Sequence, residues 1–171
     1  MSDSTAQAGQ GGAAGVPAIP EVTDRDVLVT RAFDAPRDLV WRFFMDPALL
    51  SQWFGPRGVH VDPSTVNVEL REGGRWDLDM VDDLTGAHYP IRAVLRVVRE
   101  PDYFEGVVSA DEASVDNPWD VVLRVWFHDH GDKTRITLHQ GPFAEENKKP
   151  TVDGWEDSFQ KIDALIAGGA R

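Results

Sequence analysis

The stretch from Thr151 to Ala167 constrains this chain more than any other. Placed at 100° per residue, Val152, Trp155, Phe159, Ile162, Leu165 and Ile166 fall on one arc of about 140°. Glu156, Asp157, Gln160, Lys161 and Asp163 fall on the other side. The pattern predicts an amphipathic helix. Thr151 or Asp153 is expected to accept from the free N–H groups at its start, and Gly168-Gly169 to end it. At 1.5 Å per residue, such a helix spans roughly 22 Å. Its apolar stripe needs a large apolar partner, and the sequence offers one: the run of strand patterns between about Asn67 and Gln140.

In that run the period is two. Val66, Val68 and Leu70 alternate with Asn67, Glu69 and Arg71, and Glu72-Gly73-Gly74 turns the chain. Trp76, Leu78 and Met80 alternate with Asp77, Asp79 and Val81, then Ile91, Ala93, Leu95 and Val97 with Arg92, Val94, Arg96 and Val98. Tyr103 to Ser109 follows as a strand. An acidic loop is expected over Asp111 to Pro118, then a strand with Val121, Leu123, Val125 and Phe127 on one face. Trp126 shares the opposite face with Arg124 and His128 and is expected outside. Thr134 to Gln140 is the last strand, and Phe143 to Pro150 reads as a charged connection. The hairpin from Val66 to Met80 reads as having one buried and one wet face, the mark of an antiparallel sheet covered on one side.

Upstream, Asp26 to Phe33 alternates, with Val27, Val29, Arg31 and Phe33 together. Asp34-Ala35-Pro36 and Asp46-Pro47 are both helix-start signals. They predict two short helices, the first with Leu39, Val40, Phe43 and Phe44 on its apolar side and Trp41 flanking, the second over Ala48 to Phe54. Arg57 to Thr65 reads as a loop. Strands joined by short turns pair antiparallel, and one long helix must cover their apolar face. The fold class is therefore α+β, with a curved antiparallel sheet of six to seven strands gripping the C-terminal helix.

Residues 1–24, rich in Ala, Gly, Ser, Gln and Pro, are expected to form a disordered tail, leaving 25–171 as the domain. The net charge of −12 argues against binding nucleic acid or anionic membranes, which require clustered Lys and Arg. The absence of cysteine removes disulfides, thiolate zinc sites and cysteine nucleophiles. With no long apolar run and no secretory signal, the expectation is a cytoplasmic protein without membrane insertion.

Several segments resemble one family. Arg31-Ala-Phe-Asp-Ala-Pro-Arg-Asp-Leu-Val-Trp41 is similar to the opening of the START-like (Bet v 1-like, SRPBCC) superfamily. Asp46-Pro-Ala-Leu-Leu-Ser-Gln-Trp-Phe-Gly-Pro56, Arg71-Glu-Gly-Gly-Arg-Trp76, His88-Tyr-Pro-Ile-Arg92, Thr134-Arg-Ile-Thr-Leu138 and Gly154-Trp155 resemble its activator of Hsp90 ATPase branch, the C-terminal-domain type. The resemblance runs from about Val27 to Ile166. It implies a helix-grip fold with a cavity between sheet and helix. Relatives use such cavities for lipids, sterols, polyketides and other apolar molecules, and a few are cyclases or hydrolases. It also implies a possible contact with an Hsp90-type chaperone. The separate N-terminal domain that makes much of that contact in the eukaryotic activator has no counterpart in these residues.

Candidate chemistry is sparse. There is no Gly-x-Ser-x-Gly, His-Glu-x-x-His, P-loop or Gly-x-Gly-x-x-Gly pattern, and Gly73-Gly74 is a hairpin turn. His128 and His130, with Asp129 and Asp132, have a conceivable metal spacing, but a strand ending in a polar turn explains them better. The same holds for Asp79, Asp82 and Asp83, which lack a calcium-loop pattern. No metal or other cofactor and no catalytic set is assigned. The aromatic residues carry the site hypothesis. Trp53, Phe54, Trp76, Leu78, Tyr89, Trp155, Phe159 and Ile162 are the candidate ligand-binding set, with Trp76 and Trp155 placed where sheet and helix should meet. His60 and Arg92 are further polar candidates, Arg92 with an expected outer position. Binding of an apolar, aromatic or lipid-like small molecule is the first reading. A polyketide cyclase- or hydrolase-like enzyme and a chaperone-interaction module are its rivals, and fold analogy alone does not choose among them.

Overall fold

Alternation in the first apolar segment produces β1 (Val27–Phe33), with Val27, Val29 and Phe33 buried and Leu28 and Thr30 exposed. The structure is a computed structural model that describes residues 15–109 and 121–171. The expected acidic loop and residues 1–14 of the expected tail lie outside the described residues. After β1 come the helices α1 (Arg37–Met45) and α2 (Pro47–Leu50). The strands β2 (Val59–Val61), β3 (Asn67–Val68), β4 (Arg75–Asp82) and β5 (His88–Arg99) follow. Next are β6 (Tyr103–Ser109), β7 (Val121–His130), β8 (Lys133–Gly141) and the last helix, α3 (Glu145–Ala167).

The sheet order is β1-β8-β7-β6-β5-β4-β2, with β3 also on β4. All pairings are antiparallel. The inner face supplies Phe33, Leu78, Leu95, Phe104, Val125, Ile136 and Leu138 to one core, and α3 answers with Trp155, Phe159 and Ile162. Burying a side chain such as Phe159 stabilises the fold by about 1.5–3 kcal/mol. At the sheet margin, Arg31 of β1 pairs with both Glu156 and Asp163 of α3. The α+β helix-grip architecture is thus present, with two short helices after β1.

Six local expectations change. The last helix begins at Glu145, not Thr151, and holds Pro150 inside it. Pro150 lacks the N–H that would reach the Glu146 carbonyl, and next to it Thr151 Oγ1 donates to the Asn147 carbonyl at 2.7 Å. The N-cap of α3 is Ala144, and that of α1 is Pro36; neither has a side-chain cap, so Asp34 and Asp153 do not serve. Asp46 does cap α2, accepting from Ala48 N at 2.9 Å, but α2 closes at Leu50 instead of reaching Phe54. The expected loop over Arg57 to Thr65 contains β2, and the strand expected from Val66 to Arg71 is only the two-residue β3. Between these two short pieces, Thr65 Oγ1 accepts from Asp79 N at 2.8 Å, replacing a ladder bond along the β4 edge.

The sixth change is a register shift in β5 between Leu95 and Val97. A bulge inserts one residue and reverses the alternation beyond it. Val98 therefore packs against the core where Val97 was expected. Trp126 lies on the outer face, as its neighbours imply. It is nevertheless 4% exposed. Its ring meets Tyr103 at 5.0 Å, and its Nε1 donates to the Pro17 carbonyl at 2.8 Å.

Candidate functional site

Four positions on α3, Thr151, Gly154, Trp155 and Ser158, stand at i, i+3, i+4 and i+7 and so line one stripe of the helix. Three of them are small. They leave an open cleft of about 250 Å³ between α3, the turn Phe54-Gly55-Pro56, and the inner residues Met80 of β4 and Ile91 of β5. Gln140 and Phe143 complete the wall. A Cβ built on Gly154 would lie 4.0 Å from Pro56 Cβ, so the glycine keeps the helix wall one methyl wider at that point.

The turn opposite is held by the helix itself. Lys161 was expected on the solvent side of α3. Its Nζ instead donates to the carbonyls of Gly55 at 2.8 Å, Val59 at 3.0 Å and Pro56 at 3.2 Å. An ammonium has three hydrogens, and each has an acceptor here. Burial pushes the Lys161 ammonium below its usual pKa, against the opposing pull of Asp83 and Asp157. Gly55 has φ +108°, a conformation that disfavours any side chain. Gly55 and Pro56 line the cleft, so Lys161 fixes one of its rims.

The candidate residues separate into layers. Phe54 and Trp155 line the cleft, with ring centroids 5.7 Å apart. Behind Phe54 stand Trp53 at 5.5 Å and Trp76 at 5.3 Å, and behind Trp155 stands Phe159 at 5.5 Å. Trp53, Trp76, Leu78, Phe159 and Ile162 are buried in the core cluster and do not line the cleft. Tyr89 pairs with Met80 across β4 and β5 but is 47% exposed and stands off the wall. Arg92 pairs with Asp79 at 2.8 Å, and His60 bonds Asp83; neither reaches the cleft.

Two of the buried tryptophans have a structural task. The last carbonyls of a helix lack intrahelical partners. At the end of α1, Trp53 Nε1 donates to the Phe43 carbonyl at 2.7 Å, and Trp76 Nε1 donates to the Phe44 carbonyl at 2.9 Å. Met80 and Ile91 were legible as inner-face residues but were not singled out. Gln140, Thr151 and Ser158 were missed because polar and small residues add nothing to an apolar stripe.

None of the described lining residues carries an ionisable side chain. Burial would raise the Asp79 carboxyl, but hydrogen bonds from Arg92 and His88 outweigh it and hold the group below its ordinary value. That acid is engaged on the outer face. His128 Nε2 lies 3.0 Å from Thr137 Oγ1, and its pKa is lowered, first by burial and then by Arg135 and His130. Among the described residues no three His, Cys, Asp or Glu side chains group as a metal site. Also among them, no helix is long and apolar enough to cross a membrane.

Solved structures share this architecture. A Mycobacterium smegmatis protein is 26% identical, with 84% of this chain and 91% of that one covered and a TM-score of 0.68. The AHSA1 protein from Silicibacter pomeroyi is 23% identical, with 83% and 97% covered and a TM-score of 0.69. A Chromobacterium violaceum protein is 19% identical, with 84% and 98% covered and a TM-score of 0.73. Comparison with curated proteins finds no match. The family described as activator of Hsp90 ATPase homolog 1-like protein matches residues 34–167. That span runs from the turn before α1 to the last residue of α3, and the chain belongs to this family.

Proposed function

We propose that the protein binds a small, predominantly apolar molecule in the cleft beside α3. One observation carries the reading: Phe54, Met80, Ile91, Phe143 and Trp155 converge on a single opening of about 250 Å³. Apolar walls with a few polar groups are the usual composition of a small-molecule site. The volume suits one or two rings or a short acyl chain, with the remainder of a larger molecule outside. The helix-grip fold of the family supports the same place.

Binding is favoured over acid–base catalysis, because general acid–base work needs a titratable group within reach of the substrate. The described wall has none. Contact with an Hsp90-type chaperone draws support from the family's description alone. The chaperone's ATPase rate with and without this protein measures it directly.

The test of the binding reading is an NMR titration with short fatty acids, sterols and aromatic polyketides, followed at the Trp155 indole N–H. Saturable shifts there and at the Gly154 and Ser158 amides are expected for at least one class. Shifts confined to residues away from the cleft would overturn the assignment.

A further inference from the structure

Trp155 and Gln140 fix the polarity of the cleft. An indole Nε1 only donates, so the atom that meets it must be an oxygen. Trp155 Nε1 lies 2.8 Å from the Gln140 amide, and that contact identifies Oε1. The amide NH2 is therefore the other branch of the same group. Among the described residues it has no acceptor.

The two hydroxyls on the wall are committed. Thr151 Oγ1 donates to the Asn147 carbonyl and Ser158 Oγ to the Gly154 carbonyl, both at 2.7 Å. Gln140 thus holds the only side-chain N–H or O–H on the described wall that is left for a ligand. Among the described residues the wall carries no cation. A carboxylate placed there would lose its hydration without an opposite charge, which is costly. A neutral acceptor loses less.

We propose that Gln140 is a specificity-determining residue. The cleft selects apolar molecules that carry a neutral carbonyl, and Gln140 Nε2 donates to that oxygen while Oε1 stays on Trp155. The inference rests on the binding reading above and names the ligand class for the same site.

Three probes of matched shape test it: 2-acetylnaphthalene, 2-isopropenylnaphthalene and 2-naphthoate. Each is titrated calorimetrically into the full chain and into Gln140→Glu. That variant keeps an oxygen for Trp155 Nε1 and removes the donor, and circular dichroism checks its fold. The acetyl probe is expected to bind the parent about tenfold more tightly than the isopropenyl probe, the worth of one good hydrogen bond. In Gln140→Glu that preference disappears, read as the ratio of the two neutral-probe affinities within the variant, which falls to about one. Equal affinity of the two neutral probes in the parent overturns the role of Gln140 and leaves the cleft a binding site. A preference that survives Gln140→Glu does the same. Tightest binding of the naphthoate overturns the neutral-carbonyl assignment. Absence of binding by all three rejects the binding reading, and the inference falls with it.

Discussion

Trp76 Nε1 donates to the Phe44 carbonyl at 2.9 Å, joining β4 to the last turn of α1. The indole is 3% exposed. Trp76→Phe keeps an aromatic ring but strands a buried carbonyl. An unmet buried polar group costs about 1–3 kcal/mol, so urea unfolding should shift by that amount with an unchanged slope. A stability equal to the parent's would show that the indole bond contributes nothing.

Ile162 is fully buried and does not line the cleft. Ile162→Trp therefore meets a filled core, and overpacking of this kind costs about 1–3 kcal/mol. A lowered melting temperature is expected, together with unchanged probe affinity for the variant below its transition. A variant of parental stability that no longer takes up apolar probes would instead reveal space beside Ile162.

Lys161 meets three carbonyls of one turn. Lys161→Met should release that turn while leaving the sheet intact. The amides of Val59 and Asp83, bonded to the Pro56 and Gly58 carbonyls, should exchange with deuterium at least tenfold faster, a loss of about 1.4 kcal/mol in local stability. Core amides of β7 and β8 serve as the internal reference. Uniform acceleration across the chain would mean global destabilisation and reject the latch.

Gly74 sits where a Cβ would come within 2.1 Å of the Glu69 carbonyl oxygen. Backbone cannot yield as a flexible side chain can. Gly74→Ala should therefore destabilise by about 1–3 kcal/mol, although alanine normally improves on glycine. Thermal unfolding that matches the parent would place the carbonyl elsewhere.

The Asp79 carboxyl is held below its ordinary value of 3.8. A depressed carboxyl adds stability that is present above the unfolded pKa and lost as pH falls through the folded one. Because its partners Arg92 and His88 are half-exposed, the contribution is limited to about 1 kcal/mol. The stability that the parent has over Asp79→Asn should thus be present at pH 5 and shrink below pH 4. A gap that stays constant down to pH 2 would contradict the ion pairs.

The strand faces were legible because alternation is a local property. Trp76 and Leu78 read as inner and are inner, and Trp126 reads as outer and is outer. The β5 bulge was not legible, since the inserted residue leaves an apolar pair, Val97-Val98, that fits either register. The start of α3 was hidden by Pro150, which ordinarily marks an end. Lys161 looked like a solvated cation on the polar side of a helix, and only a turn a hundred residues upstream gives it acceptors.

The sequence by itself determined the α+β class, the order of elements, the apolar stripe of the last helix and the family resemblance. All of these follow from spacings within one element or between neighbours. The cleft was decided by tertiary structure. Phe54, Ile91, Gln140 and Trp155 are far apart in the chain, and their shared opening depends on how closely α3 approaches the sheet. Periodicity says which side of an element is buried. It does not say where two buried sides fail to touch, because that distance depends on the curvature of the whole sheet and on the small residues Gly154 and Ser158 that leave room.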